Sequence, residues 1–124
     1  MSATSRQKAG QSLTDQDISD AYIYLLGRLL ITRQQQLDFD KEGLQWNKLV
    51  HRKPGQVDWP NPNLDVAYSE AWIALDDKSF LMVTVPEIKG RYYVVEFLDG
   101  WGETVANINE RVFPEHPNGR FAVC

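Results

Sequence analysis

Asp15-Gln16-Asp17-Ile18-Ser19-Asp20-Ala21-Tyr22-Ile23-Tyr24-Leu25-Leu26-Gly27-Arg28-Leu29-Leu30 is the stretch on which the fold turns. Ile18, Tyr22, Leu25, Leu26 and Leu29 recur at i, i+4, i+7, i+8 and i+11, which is one face of an α-helix. Ser12 or Thr14 can cap its start, and Asp15 and Asp17 suit the positive end of the helix dipole. The pattern predicts a helix from about Asp15 to Gln36, roughly 33 Å long, with the Leu-rich face as core. Gly27 costs about 1 kcal/mol against Ala in such a place. It therefore suits a close approach by another element, or a bend. Tyr24, Arg28 and Ile31 lie on the flank of the stripe.

Downstream, a shorter helix is expected around Glu42–Val50, closed by Pro54 and Gly55. Lys48, His51, Arg52 and Lys53 then read either as cations at a negative helix end or as an anion site. Pro54 to Pro62 is a loop by composition. Beyond Tyr68 the pattern turns extended. Ala71–Leu75, Phe80–Val85 and Arg91–Leu98 are rich in aromatic and β-branched residues. The connections between them are too short for parallel crossovers, so sequential antiparallel pairing is expected. Tyr93, Val95 and Phe97 share one strand face and are expected to contact the helix through Tyr22, Leu25, Leu26 or Leu29. Arg120–Cys124 reads as a last strand with a bare edge, open to self-association. The fold class is α+β: a long N-terminal helix on a mainly antiparallel, twisted sheet. Residues 1–11 are expected to be a disordered tail and 12–124 a single domain.

Composition narrows the function classes. The 124 residues hold 13 Lys and Arg against 17 Asp and Glu, a formal net charge of −4. An acidic body argues against binding a phosphate backbone, so no nucleic-acid partner is expected. The single cysteine, Cys124, excludes an internal disulfide. No apolar run approaches the roughly 20 residues that span a bilayer. Nor do Arg6 and Lys8 precede an apolar leader, which leaves the cytoplasm as the default compartment and no membrane partner expected. There is no Gly-rich phosphate loop, no paired cysteines and no His-Glu-x-x-His, so no cofactor is expected. His51 and His116 are far apart and no metal site is expected. Ser69 lacks the Gly-x-Ser-x-Gly setting of a hydrolase nucleophile.

One stretch is chemically dense: Asn61-Pro62-Asn63-Leu64-Asp65-Val66-Ala67-Tyr68-Ser69-Glu70-Ala71-Trp72. In one reading it is a turn, held by Asn and Asp side chains, that feeds a strand. In the other, Asp65, Tyr68 and Trp72 line a cleft as acid, hydroxyl donor and stacking surface. Asn63 belongs to the same candidate group. Arg91 can grip a carboxylate with two N–H groups, or pair with a nearby acid such as Asp99. Trp101, between two glycines, is either a lid over a site or a plug beneath a turn.

This stretch, with Val85-Pro86, Gly90-Arg91-Tyr92-Tyr93 and Leu98-Asp99, resembles the family known as DUF1254, a domain of unknown function. Asn47 and His51 fit the family's Asn-x-x-x-His element, and Arg111 falls where the family has an arginine. The resemblance covers roughly Asp20 to the end. Val66-Ala67 departs from the usual Thr-Leu, Lys53 from a common arginine, and Glu87 from an aspartate. The resemblance implies an α+β, sheet-rich N-terminal domain, usually followed by a second, DUF1214-type domain. It carries no reaction with it.

Two functions follow as expectations. The first is a binding or interaction module without catalysis. The second is a small-molecule enzyme domain whose site, near Asn63–Trp72 and Arg91 with Trp101, is completed by a missing second domain. Convergence of Asp65, Tyr68 and Arg91 in a partly apolar pocket would favour the enzyme. A truncated product with no independent role is a third possibility.

Overall fold

Thr14 starts the helix as a capping residue should. Its backbone is extended, its hydroxyl accepts the Asp17 N–H at 3.1 Å, and its own N–H donates to the Asp17 carboxylate at 2.8 Å. In the computed structural model, which describes residues 12–56 and 64–124, this helix is α1, Asp15–Glu42. It runs past the expected Gln36 because the chain stays regular until Gly43, whose left-handed backbone (φ 69°) ends it. The expected second helix around Glu42–Val50 does not form. Gly43 and Leu44 both donate to the Asp38 carbonyl, and Asn47, at φ 59°, is itself left-handed. A right-handed helix cannot pass through either residue.

Six short strands follow: β1 Val50–Arg52, β2 Tyr68–Glu70, β3 Leu81–Val85, β4 Val95–Leu98, β5 Thr104–Ile108 and β6 Gly119–Val123. They pair antiparallel as β1–β2, β3–β6 and β4–β5, giving three two-stranded sheets instead of the one sheet expected. The architecture is α+β. The sequential pairing read from the short connections is overturned at two points. Ala71–Leu75 is not a strand, and β3 pairs with β6 instead of with the strand that follows it. Periodicity explains the choice. Leu81, Val83 and Val85 oppose Val123, Phe121 and Gly119 on the covered face, while Met82, Thr84, Arg120 and Ala122 stay exposed. The register thus keeps the apolar residues of both strands together on the covered face. β6 is therefore paired, not bare, along its β3 side.

Burial is thin. Among the described apolar residues only Val85 and Ile108 are buried; both lie on strands, and Ile108 faces Val95 across β4–β5. The helix does not supply the core expected of it. Its contacts with the remainder run through the turn after β4. Tyr24 meets Trp101 edge to face at 5.3 Å, and Arg28 Nη1 donates to the Gly100 carbonyl at 2.8 Å. A Cβ on Gly27 would stand 3.1 Å from the Trp101 carbonyl, so the glycine serves close approach and not a bend. Asp38, Phe39 and Glu42 make further contacts lower down. At about 100° per residue, Tyr24, Gly27, Arg28, Ile31, Asp38 and Glu42 share one face, and Ile18, Tyr22, Leu25, Leu26 and Leu29 lie roughly 150° around from it. The Leu-rich stripe consequently points away from the strands, and every residue from Asp15 to Leu26 is exposed. Tyr93, Val95 and Phe97 are half-buried without that stripe: Val95 and Phe97 within the β4–β5 ladder, and Tyr93 through a hydrogen bond from its hydroxyl to the Pro117 carbonyl.

Candidate functional site

The polar chemistry of the chain gathers where the end of α1 meets Trp46–Ala74. Asp38 sits on the inward face of the helix and is only 5% exposed. Its carboxylate accepts the Trp72 indole N–H at 2.8 Å and the Gln34 amide at 2.7 Å. Asn47 then ties the following loop to the same strand of chain. Its side-chain N–H donates to the Ala74 carbonyl and its side-chain oxygen accepts the Ala74 N–H, both at 2.9 Å. Its backbone N–H reaches the Trp72 carbonyl at 2.7 Å. The left-handed backbone of Asn47 is what aims all three groups one way. Phe39 meets Trp46 edge to face at 4.9 Å beside this junction.

Arg52 closes the junction from below. Its guanidinium bonds Glu42, the last residue of α1, and Glu70, which stands on β2 two residues beyond Tyr68, the register partner of Arg52. Burial works to lower the arginine's pKa, but its hydrogen bonds to both carboxylates outweigh this and hold the group charged, above its ordinary value. The basic stretch Lys48–Lys53 closes no helix, and its Arg52 is already paired with two acids. On the same pair of strands His51 Nδ1 and Ser69 Oγ lie 2.7 Å apart, both exposed.

The six residues singled out from the sequence fall in different places. Trp72 is half-buried against Asp38, and Trp101 lies against Tyr24. Fourteen residues of helix separate these two anchor points, about 21 Å at 1.5 Å per residue. The two tryptophans therefore frame α1 and do not enclose one small molecule. Tyr68 opens β2 opposite Arg52 and is 42% exposed. Asp65 lies in the exposed bend that leads into β2, and Asn63 lies outside the described residues. Arg91 is exposed ahead of β4 and makes no ion pair among the described residues. Asp99, its expected partner, instead uses one carboxylate oxygen to accept the N–H groups of Trp101 and Glu103 at 2.8 and 3.1 Å. Two open concavities, about 270 and 300 Å³, are lined by Asp76–Lys78 and by Val112–His116, and none of the six residues lines either. Among the described residues no group of three His, Cys, Asp or Glu is placed to hold a metal ion, and no helix is long and apolar enough to cross a membrane.

The motif residues pair with one another across the fold. Arg111 stands over the Tyr92 ring at 4.9 Å, a cation–π contact. Asn109, 4% exposed, accepts the Arg111 and Val112 N–H groups at 2.9 and 3.0 Å. Asn47 grips Ala74, and His51 meets Ser69. A sequence profile described as "Protein of unknown function (DUF1254)" matches residues 46–124, well over half of the chain. The chain belongs to the DUF1254 family. No curated protein and no solved structure matches it. The DUF1254 match opens at Trp46, so it takes in the three sheets, the motif pairs and the strand side of the junction, while α1, with Asp38 and Glu42, lies ahead of it. Asp38 is the residue whose importance sequence reasoning missed. Its signal was an acid between Leu37 and Phe39, four residues after a glutamine able to bond it.

Proposed function

We propose that the chain acts as an interaction module, and that its contact surface is the outward face of α1. The carrying observation is the exposure of that face: Ile18 56%, Leu25 40%, Leu26 39% and Leu29 47%, on the side of the helix turned away from every strand. Large apolar groups grouped in this way mark a surface that another body covers. The family's own motif residues support the reading from the other side, because Asn47, Trp72, Tyr92, Asp99 and Arg111 are engaged in holding the fold. The outer edge of β6, paired only on its β3 side, is a lesser contact surface within the same reading.

A dye that fluoresces on apolar surfaces tests this at low protein concentration. Wild type is expected to bind it, and Leu26→Asp with Leu29→Asp is expected to lose most of the signal while the melting temperature stays put. Equal signal from the two proteins would place the exposed apolar surface elsewhere.

A second reading keeps a small-molecule site on β1–β2 and draws on the His51–Ser69 pair, exposed and next to Tyr68. Asp65 and Tyr68 would flank that pair, with Asn63, Trp72, Arg91 and Trp101 as the wider candidate set. Mass spectrometry of the purified chain for a co-purifying ligand tests it. Retention of that ligand by wild type and its loss from His51→Ala would support the site.

A further inference from the structure

We propose that the partner of α1 is a second copy of this chain, laid antiparallel against the same face. The inference rests on the interaction-module reading and adds the identity of the occupant. What decides it is the distribution of charge along the outward stripe. Asp15 and Arg33 lie on that stripe, one beyond each end of the apolar block that runs from Ile18 to Leu30. Both are exposed, and neither side chain has a hydrogen-bond or ion-pair partner among the described residues. Of the other charges in the helix centre and end, Arg28, Asp38 and Glu42 are committed inward, to Gly100, Trp72 and Arg52, while Asp40 and Lys41 are exposed.

The spacing is self-complementary in one direction only. In an antiparallel pair related by a two-fold axis beside residue 24, Asp15 of each copy meets Arg33 of the other. The same axis sets Ile18 opposite Leu30 and Tyr22 opposite Leu26. Leu25 and Leu29 then stand level with Ile23 and Ser19 of the second helix, and Asp15 and Arg33 are neutralised at the rim. A parallel pair would instead set Asp15 against Asp15 and Arg33 against Arg33, with like charges repelling at both ends. Rim charges of this kind fix orientation and partner choice in helix pairs. The two-fold arrangement also closes on itself, so it ends at a dimer and does not propagate. Exposure supports the placement. Every residue from Asp15 to Leu26 is exposed, leaving about three turns for a second copy to lie along.

Sedimentation velocity on the full chain across a hundredfold concentration range is the test, with circular dichroism confirming the helix in each variant. Wild type is expected to form a dimer as concentration rises. Arg33→Asp should weaken association several-fold, and Asp15→Arg should do the same. Combining Asp15→Arg with Arg33→Asp should restore it, because the charges are exchanged and not removed. Leu26→Asp should abolish the dimer. A chain that stays monomeric throughout, or a dimer indifferent to Leu26→Asp and to the charge exchange, overturns the proposal. Dye binding separates this failure from that of the broader reading. A monomer whose dye signal is lost in Leu26→Asp refutes the second copy and leaves the interaction face standing. A monomer that binds no dye refutes both.

Discussion

Asp38 shows how much a single carboxylate organises here. It holds the Trp72 indole and the Gln34 amide with its side chain, and its carbonyl takes the two N–H groups that end α1. Removing the carboxylate leaves the indole N–H without its partner, a loss of roughly 1–3 kcal/mol when such a donor is shielded from water. Asp38→Ala is thus expected to lower the urea midpoint by an amount corresponding to that range, with Trp72 fluorescence reporting the transition. Asn47 gives a finer test. Ala and Gly at this position both lose the two bonds to Ala74, but only Gly adopts a positive φ without strain. Stability should fall in the order Asn, Gly, Ala, with about 1 kcal/mol between the last two. An Ala variant as stable as the Gly variant would mean that the backbone relaxes out of the left-handed region.

At the scale of the element, α1 depends on its first turn because the residues there are all exposed. The Asp17 carboxyl is held below its ordinary value of 3.8 by hydrogen bonds from the Thr14 side chain and then from the Thr14 backbone. A depressed carboxylate stabilises the folded state above its unfolded pKa, and that contribution is lost as pH falls through the folded value. Helix content followed by circular dichroism should therefore decline as the solution is acidified below about pH 4. Thr14→Ala should cost about 1 kcal/mol and flatten this part of the acid response. The start of the helix was legible to within Ser12 or Thr14, and so was the helix itself. The face that α1 buries was not. Apolar periodicity names the side that avoids water, but it does not say whether the same chain supplies the cover. Gly27 carried the better clue, since a residue unfavourable to helices is kept where the Trp101 turn approaches. The strand ladders were half legible for a related reason: residue type marked β3 and β6 as strands, but not that they would choose each other across the intervening hairpin. The candidate site was the least legible part, because its residues serve backbone donors and acceptors that a sequence does not display.

For the whole molecule, the scarcity of buried side chains sets the response to denaturant. The slope of unfolding free energy against urea follows the surface newly exposed. With Val85 and Ile108 as the buried apolar residues among those described, the slope at low protein concentration should lie near the bottom of the usual range, about 1 kcal/mol per molar urea. Anything that binds the folded form alone raises its apparent stability by mass action. The melting temperature should consequently climb with protein concentration if α1 is covered by a second chain, and Leu26→Asp should remove the climb. A melting temperature indifferent to dilution would show each chain to be thermally self-sufficient.

The nesting of one ladder inside another also has a kinetic consequence. β4 and β5 are joined by a short turn and form a local hairpin, whereas β3 and β6 must meet around it, from Val85↔Gly119 to Leu81↔Val123. Hairpins of the first kind zip within microseconds. Closing the outer loop carries a larger entropic cost, which grows with the length of chain between its ends. A hairpin already formed shortens the flexible part of that loop, so the inner ladder is the one to nucleate and the outer one the one to seal. Amide protons of β3 and β6 should accordingly be the last to gain protection on refolding, and a weakened β4–β5 turn should slow their arrival without changing the ladder they join.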